Sequence, residues 1–116
     1  MKKIVLSLAA LAGLSACGSS MHAPTERLAA TDAAIRSARE LGAAQVPQAA
    51  LHVQLASDQT SRARELMRDG DNREADRVLQ RAHSDAELAV MLTKERNAKR
   101  EADQARQKFG SGTTGK

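Results

Sequence analysis

The spacing of helix-breaking residues constrains this chain more than any other feature. Proline and glycine stand at Pro24, Gly42, Pro47 and Gly70, and then neither recurs before Gly110. Proline suits the first turn of a helix, and glycine readily adopts the left-handed turn that follows a helix end. The breakers therefore delimit three segments, each with apolar residues at helical spacing. In 24–41 these are Leu28, Ile35, Ala38 and Leu41, with Ala34 widening the stripe and Glu26 complementing the dipole in the first turn. In 47–69 they are Leu51, Leu55, Ala56, Ala63, Leu66 and Met67, with Gln59 and Thr60 interrupting the stripe. In 72–109 they are Ala75, Val78, Leu79, Ala82, Ala86, Ala89 and Leu92. The expectation is an all-α fold, an antiparallel three-helix module over 24–109 with a long third helix.

The turn between the second and third segments is Asp69-Gly70-Asp71-Asn72. Gly70 suits the left-handed position, Asp71 the N-cap, and Glu74 the reciprocal place of a capping box. So short a link implies an antiparallel αα-hairpin. A calcium loop needs oxygen ligands at alternate positions, and Arg73 occupies the third of them. The third helix would be about 57 Å long against about 35 Å for the second, at 1.5 Å per residue. Its last dozen or more residues should overhang the bundle. There the apolar stripe thins to Ala98, Ala102, Ala105 and Phe109 among charges. Such an arm is either solvated or paired with another chain, a second copy included.

Composition agrees with long helices. Phe109 is the only aromatic residue, and Ala, Leu, Arg, Glu, Asp and Gln dominate. The net charge of +4 is unevenly placed. Cys17 to Thr93 holds nine basic and eleven acidic side chains, while Lys94 to Lys116 holds seven and three. A basic chain invites a nucleic-acid reading, but the lack of aromatics and the N-terminal segment argue against one.

That segment has the layout of a secretory signal. Lys2 and Lys3 precede an uncharged run, Ile4 to Leu14, and the small residues Ser15 and Ala16 lead to Cys17, the one cysteine in the chain. The run is about half the roughly 20 residues that a membrane-spanning helix needs. Leu14-Ser15-Ala16-Cys17 resembles the lipobox of bacterial lipoproteins. The resemblance implies that residues 1–16 are removed, that Cys17 carries diacylglycerol and an N-acyl chain, and that 17–23 form a polar leader between lipid and fold. Gly18 stands where an Asp would retain an enteric lipoprotein in the inner membrane, so the outer membrane, facing the periplasm, is the expected address. A lone cysteine in an oxidising compartment cannot form an internal disulfide, and lipidation gives it a use.

Several strings mimic chemistry. Gly110 to Lys116 matches G-x-x-x-x-G-K, but a phosphate loop needs a preceding strand, a following helix and a hydroxyl residue after the lysine; 110–116 reads as a flexible tail. His22, His52 and His83 are far apart in sequence. Even brought together between the second and third helices, His52 and His83 are two imidazoles and do not complete a zinc site. No metal, cofactor or catalytic set is assigned, and an enzyme is not expected. Arg73, Arg77 and Arg81 recur at i,i+4 and, with Lys99 and Arg100, are the candidate contacts for an anionic partner; Glu74, Asp76 and Asp85 could equally neutralise the first three. Lys116 resembles the terminal lysine by which some outer-membrane lipoproteins are joined to peptidoglycan. The coiled-coil heptads and the aromatic and basic residues before that lysine are not matched here.

Pro24 to Ala43, Ala49 to Leu55, Asp69-Gly70-Asp71-Asn72 and Asp85-Ala86-Glu87-Leu88-Ala89 resemble, in the same order, the helical lipoprotein family called domain of unknown function 4398. The likeness spans about 24–105. It implies a bacterial envelope protein and supplies no catalytic residues to carry over. The functional expectation is a non-catalytic scaffold or adaptor that binds an envelope protein, with a structural tether to peptidoglycan as the alternative.

Overall fold

The computed structural model describes residues 21–111. Three α-helices follow one another: α1 (Thr25–Glu40), α2 (Pro47–Asp69) and α3 (Asn72–Ser111), with a 3₁₀ turn (Ala43–Gln45) between the first two. α1 and α3 run in one direction and α2 returns between them, so the expected all-α module with a long third helix is what the chain forms. Residues 1–20, which include Cys17, the segment read as a signal and the start of the expected leader, lie outside the described residues, as does Lys116.

The boundaries follow local chemistry. Pro24 caps α1 instead of opening it. Its φ of −79° and ψ of 57° make an inverse γ-turn, in which the Thr25 N–H donates to the Ala23 carbonyl at 2.8 Å. α1 ends at Gly42, whose φ is +94°. Pro47 takes the first position of α2, and Gly70, at φ +85°, closes it. There the Asp71 N–H reaches back five residues to the Leu66 carbonyl at 2.8 Å, and the Gly70 N–H to the Met67 carbonyl at 3.3 Å, the two bonds of a Schellman turn. The Asp71 carbonyl accepts the first bond of α3. Glu74 does not complete a capping box, because its carboxylate turns to Arg77 instead.

Alanine fills the core. Among the described residues fourteen hydrophobic side chains are buried, and nine are Ala. Each alanine methyl contributes about 0.8 kcal/mol where a larger aliphatic side chain contributes about two to three times that, so the few large residues matter disproportionately. Leu79 is the largest fully buried side chain. One cluster joins Ile35, Ala38, Ala49, Val53, Ala56, Ala86 and Ala89; the other joins Ala63, Leu66, Ala75, Val78 and Leu79. Thr60, read from sequence as an interruption, is buried on α2, as Thr31 is on α1 and Thr93 on α3. Each hydroxyl donates to the carbonyl four residues earlier, at 2.8, 2.6 and 2.7 Å for Thr31, Thr60 and Thr93. A threonine satisfied in this way is nearly as compatible with a helix seam as valine.

Two expectations for the packing are corrected. Leu51 and Leu55 are 55% and 39% exposed. The buried seam of α2 is Ala49, Val53, Ala56, Thr60 and Ala63, a four-three alternation. Leu51 sits two residues after Ala49, about 200° around the helix. Phase, and not side-chain size, decides which residues face inward. Asp32, Arg36 and Glu40 stand at i,i+4 spacing and invite a ladder of ion pairs along α1, but Asp32 turns to another helix. Asp32 accepts from Arg64 of α2 at 2.7 and 2.8 Å.

Candidate interaction surface

Polar contacts fix how the helices meet. Between α1 and α3, Arg27 donates to Asp76 at 2.6 Å, and between α1 and α2, Arg39 donates to Ser57 at 3.0 Å. Between α2 and α3, the Asp85 carboxylate accepts from His52 Nδ1 and Gln59 Nε2, each at 2.8 Å. Asp76 and Asp85 are nine residues apart, two and a half helical turns, so they point to opposite sides of α3. His52 and Gln59 are one heptad apart on α2, and Asp85 sits between them. This clamp sets the register of the hairpin. Spacing on a single helix could not foretell it.

Near the end of the bundle the Asn97 amide of α3 donates to the Leu41 carbonyl at 3.1 Å. That bond satisfies one of the carbonyls that the end of α1 leaves without an intrahelical partner. Beyond it, every residue from Ala98 to Gly110 is exposed while the helix continues. At 1.5 Å per residue the arm projects about 20 Å.

The candidate contact residues distribute as follows. Arg73, Arg77 and Arg81 are exposed on the bundle portion of α3. Arg77 is held by Glu74, through its Nε at 2.9 Å and also through Nη2. The structure therefore offers Arg73 and Arg81 as open cations flanking a neutralised one, and not a continuous basic stripe. Arg73 and Arg77 border a surface depression with Gly70, Asp71 and Asn72, while Arg81 borders a separate one with Gln59, Gln80, Ser84 and Asp85. Lys99 and Arg100 are exposed and point to different sides of the arm, being consecutive on a helix. Arg100 and Arg96 lie beside the carbonyl end of α1, around Leu41, Gly42 and Asn97. Cys17 and Lys116 fall outside the described residues.

The histidines do not converge. His52 turns to Asp85, and His83 lies 3.3 Å from Glu87 of its own helix. Among the described residues, no group of three or more His, Cys, Asp or Glu could hold a metal ion. No described helix is long and apolar enough to cross a membrane.

With the arm and the clamp in view, the comparison with known families is direct. The family model for a domain of unknown function, DUF4398, matches residues 26–105. The chain belongs to the DUF4398 family. The matched span takes in α1, α2 and the greater part of α3, including the first half of the arm. No curated protein and no solved structure matches the chain. The DUF4398 module is thus defined here by its own geometry: a short alanine-packed bundle from which one helix continues alone.

Proposed function

We propose that this DUF4398 protein is a non-catalytic helical scaffold, anchored by lipid on Cys17 to the bacterial outer membrane and facing the periplasm, which binds an envelope protein. The observation that carries the reading is the α3 arm. A continuous helix with every residue from Ala98 to Gly110 exposed adds nothing to the burial that stabilises the bundle. A segment of this kind is best accounted for by what it contacts. The lipobox pattern Leu14-Ser15-Ala16-Cys17 supports the anchor.

Two measurements test this reading. Cells fed labelled palmitate should label the protein, and Cys17→Ser should abolish the label; continued labelling of that variant would remove the anchor from the proposal. Cross-linking in whole cells, read by mass spectrometry, should join Lys99 to a single envelope protein. Links spread over abundant proteins in proportion to their amount would defeat the adaptor reading.

The basic excess of Lys94 to Lys116 favours a second reading, a tether to peptidoglycan through that end and Lys116. Sacculi boiled in detergent would retain the protein if it is covalently joined, and would lose it on deletion of Lys116. Complete release of the intact protein into detergent would reject the covalent tether.

A further inference from the structure

Apolar residues of α3, half-buried at Leu88 and exposed at Met91, Ala98 and Ala102, line the face opposite its core seam, with Glu95 interrupting them. Leu88, Met91, Ala98 and Ala102 each lie nine residues after a buried residue, namely Leu79, Ala82, Ala89 and Thr93. Nine residues are two and a half turns, so the outer line is the core seam carried through to the far side. Ala105 and Phe109 extend it at heptad spacing. Met91 is 60% exposed and Phe109 82%. α2 adds to the same side. Leu55 lies between His52 and Gln59, the residues that reach Asp85, and Leu88 is three residues beyond Asp85. Exposed Leu55 and Leu51 therefore border the outer line where it passes the bundle.

We infer that this outer face of α3 pairs with the same face of a second copy of the chain, antiparallel, with Ala98 of one copy beside Glu95 of the other. Charge pattern selects both the occupant and the direction. One edge of the line carries Glu87, Lys94, Glu101 and Lys108, alternating in sign at every heptad. In the antiparallel register Lys94 meets Glu101 of the second copy, and the two-fold axis repeats the pair. Met91 then packs beside Ala102 and Leu88 beside Ala105. Phe109 of the second copy comes to the part of the hairpin that exposes Leu55. A parallel, in-register pair would instead set Lys94 against Lys99, which repel. Alanine at three of these positions lets the two helices approach closely. The pairing is independent of the lipid anchor. In the pair each arm lies along the neighbouring bundle, so an arm engaged this way is not extended toward a distant polymer.

The test uses the full chain purified in detergent, as an equal mixture of unlabelled and ¹⁵N-labelled protein, treated with a carbodiimide that joins lysine directly to glutamate. Mixed-isotope Lys94–Glu101 links are the expected result. Glu101→Lys should reduce the mixed links at least about tenfold by opposing Lys94 with a second cation, and Lys94→Glu in the same chain should restore them. Both positions are exposed, so circular dichroism should show unchanged helix content in either variant. Same-isotope links alone, or mixed links that the charge exchange fails to restore, would overturn the pairing. So would an outer face that in cells links to a different protein and not to a second copy. Loss of the pairing would leave the palmitate result untouched, so the two readings fail separately.

Discussion

The two halves of α3 are one unbroken helix put to opposite uses. From Asn72 to Asn97 it supplies Ala75, Val78, Leu79, Ala82, Ala86, Ala89 and Thr93 to the core, and its hydrogen bonds with Arg27, His52 and Gln59 of the other helices fall there. From Ala98 to Gly110 the backbone is the same and no side chain is buried. A helix of this composition is only marginally stable by propensity and gains most of its stability from packing. The arm is therefore held by extension from an anchored segment, while the bundle is held by burial. Stability should respond to the first half and almost not at all to the second.

The largest response is expected at Leu79, fully buried in a core whose other members are mostly alanine. Leu79→Ala should cost about 2–5 kcal/mol, because small neighbours leave little to collapse into the cavity. Denaturant unfolding measures it, and a loss below about 1 kcal/mol would mean that burial is not what holds the bundle. Next is the hairpin turn. A Cβ at Gly70 meets nothing within 4 Å, so the cost of Gly70→Ala is the backbone cost of φ +85° alone. About 1–2 kcal/mol is expected, since the left-handed region is disfavoured by that amount for other residues. A neutral result would mean that the turn can refold into another geometry without disturbing α2 and α3.

Much of this architecture could be read from residue order. Pro47, Gly42 and Gly70 stand at the helix boundaries as their backbone preferences require, and the inward stripe of α3 follows from its spacing. The failures came where information is relational. Leu51 and Leu55 look like core residues because leucine usually is, but the seam of α2 is set by the phase of the small residues Ala49, Val53, Ala56, Thr60 and Ala63, which only facing helices reveal. Asp85 counted in the sequence as a charge neutralising Arg81. In the fold it is the register clamp between His52 and Gln59. The outer line of α3 was half visible, as Ala98, Ala102, Ala105 and Phe109. Its continuation through Met91 and Leu88 needed the structure, because beside the bundle the apolar residues of both faces overlap in one periodic pattern.

Asn97 marks the border between the halves, and its bond to the Leu41 carbonyl ties the end of α1 to α3. Asn97→Ala should cost about 1 kcal/mol, the usual net value of one such hydrogen bond. The accompanying change should be local. Amide exchange at Gln45 and Val46, whose N–H groups close the 3₁₀ turn after α1, should quicken more than exchange in α2. Equal quickening throughout would show that the end of α1 does not open independently.

The smallest effect on stability is expected at Gln104, in the middle of the arm. Its position falls away from the line of Ala98, Ala102 and Ala105, so a change there leaves the proposed pairing face intact. Gln104→Gly should weaken the arm helix by somewhat under ~1 kcal/mol locally, the difference in propensity between the two residues. Because nothing from Ala98 onward is buried, that loss has no route into the bundle. The helical signal in circular dichroism should fall slightly as the end of α3 frays, while the midpoint of thermal unfolding stays within about 1 °C of the parent, measured at dilution where chains are separate. A fall in midpoint comparable with that of Asn97→Ala would break the distinction between the halves. It would mean that the arm folds as part of the cooperative unit, which a helix exposed on every side can do only if something packs against it.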